Sequence, residues 1–567
     1  MPKLIIDNKE IDFQPGQTIL QAARNNGIKI PHFCWHPALS IAGNCRICLV
    51  EIEKLPKLVI ACSTVASEGM VVHTKSEKAI AAQNAVMEFL LINHPLDCPI
   101  CDEAGECKLQ DYAYKYGIGK SRFEEEKVHK DKRVDLGPNV MFDAERCISC
   151  SRCIRYCEEI AKEPQLTFVQ RGDRVTIETF PGKKLDNPYS MNVIEICPVG
   201  ALTSKHFRFR SRVWDMSFTD SICPGCARGC NTIMGVRNNE ILRIEPRQNP
   251  SVNEYWLCDW GRLNTINRVN NEEMRIKSPL LRPEASKMEL NEMVPANPRA
   301  ELLKVDWDVA ISRTASELHG INKKILFIAS PFSTLEDNYA LKKFANEVFN
   351  SNDIIYFPNI DESFGDAILR LSDKTPNSNG LKLLGINPIT EKQIEDLRNG
   401  KFEIIYLINE DLSRIQDYEK IFNKVQISIH QISTKNSFSK FGTVILPEST
   451  YAEINGTFVN FNNIVQRLKP AVVTLEQERL IGEFSFSRLD KFGAPNDRWT
   501  HGTRFNARPS WKILKQIAKG MGRDFKFENS EEVFIELCST IPAMNGWDYD
   551  TVGEKGKKLE TKLNVKV

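Results

Sequence analysis

The stretch HPLDCPICDEAGEC, residues 94–107, decides how the first half of this chain is read. It sets His94, Cys98, Cys101 and Cys107 apart by three, two and five residues. Three thiols and one imidazole suit either zinc or an iron–sulfur cluster. The choice turns on the other cysteines. Seventeen occur in 567 residues, and all but Cys538 precede residue 260. The chain opens MPKLIIDNKEIDF, without the pattern of an export signal. A reducing compartment is therefore expected, where grouped cysteines read as metal ligands rather than disulfides.

Composition excludes several classes. The formal net charge is +1, which argues against binding nucleic acid or a membrane surface by bulk charge. No apolar run reaches the roughly 20 residues that span a bilayer. The most apolar helical stretch, AIAAQNAVMEFLLIN (79–93), carries Gln, Asn and Glu and reads as an amphipathic packing helix.

Upstream of residue 94, KLIID and EIDF alternate like the strands of a hairpin around Asp7, Asn8 and Lys9. GQTILQAARNNG follows as a helix, with Thr18 and Gln21 as a capping box and Gly27 as its stop. A strand pair, a helix and a cysteine loop are similar to a plant-type ferredoxin. Cys34, Cys45, Cys48 and Cys62 then read as [2Fe–2S] ligands, with zinc as the alternative. The ten-residue first gap departs from the plant-type spacing of four.

Downstream, RCISCSRCIRYCEEI (146–160) is a C-x2-C-x2-C-x3-C run, and EICPVGAL (195–202) supplies a Cys-Pro pair. In two-cluster bacterial ferredoxins the fourth cysteine of each run serves the other cluster. Counting back from Cys197, the second triplet would fall at Asn187, Ser190 and Val193, so it is lost. One [4Fe–4S] cluster on Cys147, Cys150, Cys153 and Cys197 is expected, with Cys157 left as a packed residue. CPGCARGC (223–230) and YWLCDWGR (255–262) give Cys223, Cys226, Cys230 and Cys258, a further four-thiolate set. Zinc fits it in isolation; beside three other cluster sites, a third [4Fe–4S] centre fits better. His94 in place of a thiolate makes its ligand set less negative, which raises a cluster's potential. The other eight histidines lack such spacing and read as ordinary core or surface residues.

Beyond about residue 272 the pattern changes. SPLLRPEASKMELNEMVPANPRAELLK (278–304) reads as a loop or linker. KILFIAS, EIIYLI and TVILP are buried-strand runs, and helices are expected from Thr334 and over PSWKILKQIAKGMG, giving an α/β domain with a mostly parallel sheet. No dinucleotide fingerprint or P-loop is present, and GIGK (117–120) reads as a turn. Glu453, Asn455 and Gly456 could mark a site but read better as a turn between strands. The last dozen residues, polar and lysine-rich, read as a loose tail.

These four groups, in this order, resemble the family of the iron–sulfur G subunit of bacterial NADH:quinone oxidoreductase, respiratory complex I. VDWDVAI, TVILPESTYAEINGTFVNFNNIVQR and PSWKILKQIAKGMG look like stretches of a shortened molybdopterin oxidoreductase. The resemblance implies an α+β multidomain chain. Its parts would be a β-grasp [2Fe–2S] domain (1–78), a His(Cys)3 [4Fe–4S] module (79–118) and a ferredoxin-like [4Fe–4S] module (136–215). A Mo/W-oxidoreductase-type [4Fe–4S] module (216–272) and a degenerate α/β domain (273–567) would follow. It implies one [2Fe–2S] and three [4Fe–4S] clusters, and no flavin, NAD or molybdopterin on this chain. Electrons would enter at the Cys34 set, pass to the Cys147 set and then the His94 set. The fourth cluster could lie off this path. Partners would be the NADH/FMN-binding subunit and the quinone-side iron–sulfur subunits, at the cytoplasmic face of the inner membrane. Soluble NAD-linked formate dehydrogenases and some hydrogenases share the opening module, but their own catalytic cysteines are missing here.

Overall fold

The computed structural model describes residues 1–283, 301–319, 324–476 and 502–560 and divides into two units, Met1–Trp214 and Asp215–Val567. In the first unit, strands Lys3–Ile6 and Lys9–Asp12 pair antiparallel. Their connection has Asp7 and Asn8 at φ 48° and 68°, the left-handed pair that a tight two-residue hairpin requires. Strand Val71–His73 lies parallel to the first strand, and Leu49–Ile52 and Val59–Ile60 complete a five-stranded sheet. Helix Ile19–Asn25 carries the expected Thr18–Gln21 capping box. Its Ile19, Leu20, Ala22 and Ala23 are buried with Leu4, Ile6, Val50 and Val72 in one core, which also holds Cys48 and Cys62.

Helix Glu77–Ile92, capped by Ser76, and helix Lys108–Tyr116 flank the His94 stretch. Strand Val140–Phe142 pairs antiparallel with Leu202–Ser204. That pairing brings the loop after residue 142 beside the loop before residue 202, so Cys147 and Cys197 meet despite their separation in sequence.

The second unit opens with a three-stranded antiparallel sheet, Ser217–Ile222, Asn231–Arg237 and Glu240–Pro246. An eight-stranded sheet follows. Six strands, Val444–Pro447, Ile427–Ile432, Ile404–Ile408, Ile325–Ala329, Ile354–Tyr356 and Asn387–Pro388, run parallel in that spatial order. Both Ile325–Ala329 and Ile404–Ile408 are buried throughout, as a sheet covered on both faces demands. Helix Leu335–Phe349 starts at Thr334, whose hydroxyl accepts from Asp337 N, and helix Ser510–Gly520 covers the sheet.

The linker expectation needs correction at its ends. Leu280–Leu281 and Leu303–Lys304 form antiparallel edge strands, Leu280–Leu281 pairing with Val444–Ile445. Residues 284–300 lie outside the described residues. Glu453 sits in the connection between Val444–Pro447 and Gly456–Val459, buried, its carboxylate accepting both bonds from Arg275 Nη2 at 3.0 and 2.9 Å. It anchors the fold. Lys557–Lys558 of the expected tail pairs with Ile464–Val465; residues 561–567 and His501 lie outside the described residues.

Candidate metal centres

In the first set, Cys34, Cys48 and Cys62 are buried and Cys45 is half-buried. Their sulfurs lie close enough to perturb one another in the order Cys45–Cys34–Cys62–Cys48. Interaction with Cys45 and then Cys62 pulls the Cys34 thiol far below its ordinary range. The same interaction, with Cys34 the leading partner, pushes Cys45 and Cys62 up. Backbone N–H groups of Asn44 and Cys45 also donate to Cys34. Gly43 and Arg46 at φ 63° and 60° turn the loop so that these donors reach the sulfur.

The second set lies between two helices. His94 follows the Asn93 C-cap, Cys98 starts the turn Cys98–Ile100, and Cys107 is the N-cap of Lys108–Tyr116. Cys101 is buried, Cys107 half-buried and Cys98 exposed. Burial, helped by the nearby Arg146 charge, pushes the His94 imidazole down to about 4, so it is neutral with a lone pair to offer. Burial pushes Cys107 up to about 12. Arg146 lies within electrostatic reach of both His94 and Cys101. Its Nη2 and Nε donate to Asp97 Oδ2 at 2.8 and 3.0 Å. Asp97 precedes Cys98 and Arg146 precedes Cys147, so one half-buried ion pair ties the second set's loop to the third's.

The third set lines a small cavity, where Cys147, Cys150, Cys153 and Cys197 are joined by Phe142, Ile148, Ile177, Val199 and Leu202. Cys157, one helical turn beyond Cys153, is buried but does not line it. Ser149 and Ser151 sit at φ 51° and 62°, the alternation that turns successive N–H groups toward one concavity. Ser149 N donates to Cys147 Sγ at 3.4 Å. Burial drives the Cys153 and Cys197 thiols well up, so their thiolates need a cationic partner in the cavity.

In the second unit, Cys223, Cys226, Cys230 and Cys258 are all buried. Gly225 N donates to Cys223 Sγ at 3.4 Å, and Gly261 N to Cys258 Sγ at 3.3 Å. Cys258 thereby caps helix Asp259–Asn270, whose N-terminal dipole favours a thiolate. A Cβ at Gly261 would stand 3.0 Å from Cys223 Sγ and 3.3 Å from Cys258 Sγ, so only glycine leaves the two sulfurs room.

Among the described residues, no three His, Cys, Asp or Glu side chains gather as the ligands of one metal ion. The donors of the four sets are soft thiolates and one imidazole, and the third set's four sulfurs line one apolar cavity. That chemistry fits iron–sulfur clusters.

Family comparisons follow the same divisions. Residues 3–77 match the 2Fe-2S iron-sulfur cluster binding domain, and 83–122 match the NADH-ubiquinone oxidoreductase-G iron-sulfur binding region. Residues 137–203 match the ferredoxin-like domain of NADH-quinone oxidoreductase subunit 3. The molybdopterin oxidoreductase Fe4S4 domain matches 216–271, and the molybdopterin oxidoreductase model 382–479. The NADH-quinone oxidoreductase G subunit of Rickettsia conorii is 35% identical over 479 residues, covering 80% of this chain and 68% of its own length. This chain belongs to the family of NADH-quinone oxidoreductase G subunits. The G subunit of Streptomyces coelicolor is 39% identical over 62% of this chain and 40% of its own. The mitochondrial 78 kDa subunit of NADH-ubiquinone oxidoreductase from Neurospora crassa is 37% identical over 70% and 53%. A solved NAD+-reducing [NiFe]-hydrogenase chain matches 37% of this G-subunit chain and 91% of its own, at 32% identity and TM-score 0.34. Among the described residues, no helix of this family member is long and apolar enough to cross a membrane.

Sequence reasoning missed Arg146, Arg152 and Gly200, which contact the ligand loops. A faint signal existed: RC at 146–147 and SRC at 151–153 place arginines directly before ligand cysteines.

Proposed function

We propose that this chain is the electron-transfer subunit of an NADH:quinone oxidoreductase. It carries electrons from the NADH/FMN-binding subunit toward the quinone-side iron–sulfur subunits, within a complex that couples this transfer to proton translocation. It holds a [2Fe–2S] cluster on Cys34, Cys45, Cys48 and Cys62. Three [4Fe–4S] clusters sit on His94, Cys98, Cys101 and Cys107; on Cys147, Cys150, Cys153 and Cys197; and on Cys223, Cys226, Cys230 and Cys258. Its place is peripheral, at the cytoplasmic face of the inner membrane. The observation that carries the reading is the apolar cavity lined by four cysteines from two distant loops in a member of this family.

Bound clusters supply one-electron redox chemistry. The chain's own residues set its terms. Phe142, Ile148, Ile177, Val199 and Leu202 keep water from the third set. N–H donors at Asn44, Cys45, Ser149, Gly225 and Gly261 offset negative charge on sulfur, which favours the reduced form. His94, neutral, leaves its site less negative than four thiolates would.

The test is electron paramagnetic resonance of the NADH-reduced complex, with iron and acid-labile sulfide analysis. One [2Fe–2S] and at least two [4Fe–4S] signals from this subunit are expected. A zinc-loaded, spectroscopically silent chain lacking labile sulfide would refute the reading.

A further inference from the structure

Helix Arg152–Glu159 carries two arginines that reach both the first and the third cysteine sets. Arg152 is only 3% exposed. Its Nη1 donates to the Ile196 carbonyl at 3.1 Å and its Nη2 to the Trp35 carbonyl at 2.5 Å. Ile196 precedes Cys197, and Trp35 follows Cys34. Arg155 donates to the carbonyls of Ser40, Cys34 (2.5 Å) and Cys150 (3.5 Å).

Among the described residues, no carboxylate pairs with Arg152, and its Nε has no hydrogen-bond partner. A guanidinium buried against carbonyls alone is costly, because dipoles replace only part of its lost hydration. The groups that favour its charge are the sulfurs of Cys150, Cys197, Cys34 and Cys45, two from each set. The cation is therefore balanced by both sets at once, and each loses one counter-charge if the arginine goes.

We propose that Arg152 is a positioning residue shared by the two centres. Reaching both loops, it holds one buried positive charge between them, making both easier to reduce. This inference rests on clusters occupying both sets. Adding an electron to either centre makes it more negative, and a nearby charge in a poorly screened interior favours that state.

The experiment is a redox titration followed by electron paramagnetic resonance on the assembled complex in its own membranes, comparing the parent with R152Q and R152K. In R152Q the reduction equilibrium of both centres should fall about tenfold, which is about 59 mV for a one-electron couple. R152K keeps the charge and should leave both close to the parent. Unchanged potentials in R152Q, a shift at one centre alone, or equal shifts in both variants would overturn the proposal. If R152Q fails to assemble the centres, R152K decides. Both centres present at parental potentials support the proposal; loss of either overturns it, since geometry rather than charge would then be what matters. Silence of both centres in the parent complex would instead strike the cluster assignment itself.

Discussion

Replacing Gly200 by alanine should damage the His94 centre while sparing the centre whose loop contains Gly200. The residue ends the run Cys197-Pro198-Val199-Gly200. A Cβ placed on it would lie 2.2 Å from Cys101 Sγ and 2.9 Å from Glu103 Cβ. Ordinary contact between such atoms is about 3.5–4.0 Å, so the overlap with sulfur exceeds about 1 Å. Gly200 is not among the positive-φ glycines, so alanine meets no backbone strain there; space alone forbids it. Nor can the Cys101 backbone back away freely, since its carbonyl accepts from Arg212 Nη1 at 2.5 Å. Overpacking of this kind costs about 1–3 kcal/mol. For a unit the size of Met1–Trp214 that lowers the thermal midpoint by about 2–4 °C per kcal/mol. The displaced sulfur should also remove or broaden the spectral signal of the His94 set. Thermal unfolding and electron paramagnetic resonance of the assembled complex read the two effects. A G200A complex with an unshifted midpoint and an intact His94-centre signal would refute the reasoning, as would loss confined to the Cys147–Cys197 signal.

Four further outcomes are expected. His94→Cys should retain a cluster but lower its potential, because an anionic thiolate replaces a neutral imidazole; a redox titration showing an upward or absent shift contradicts this. Cys157→Ser should leave every centre's signal intact, since Cys157 does not line the cavity, at about 1–3 kcal/mol for a buried hydroxyl; loss of one signal would make Cys157 a ligand. Glu453→Gln uncovers the buried Arg275 charge and should destabilise the second unit by about 3–5 kcal/mol in denaturant unfolding, a cost under 1 kcal/mol arguing otherwise. Burial raises Glu336 to about 8, so its neutral form is the one that folds best. The stability it contributes is complete below its unfolded value near 4.5 and is lost as pH rises through about 8. Glu336→Gln mimics the neutral acid toward Thr457 and Tyr549 and should flatten that decline; an unaltered pH profile of unfolding would show that Glu336 does not govern it.

Local features were readable because their physics is local. Thr18 and Gln21 cap their helix through bonds three residues apart, and the Asp7–Asn8 turn needs only its own two dihedral angles. Leu280–Leu281 was not readable as a strand. Two leucines in a charged, proline-containing stretch carry no periodicity, and their extended form comes from pairing with Val444 and Ile445 far along the chain.

The sequence by itself determined the inventory: four groups of soft donors, their order, the lost second ferredoxin triplet, and a sheet-forming rear half. Ligand spacing is a short-range constraint, written in consecutive residues. Beyond the meeting of the Cys147 and Cys197 loops, tertiary structure alone decided which loops touch. That Gly200 lies against Cys101, that Arg146 ties Asp97 to the loop of Cys147, and that Arg152 bridges Trp35 to Ile196 follow from strand pairing and core packing over tens of residues. Contacts of that range depend on how many weak interactions sum across the fold, and no window of sequence holds them.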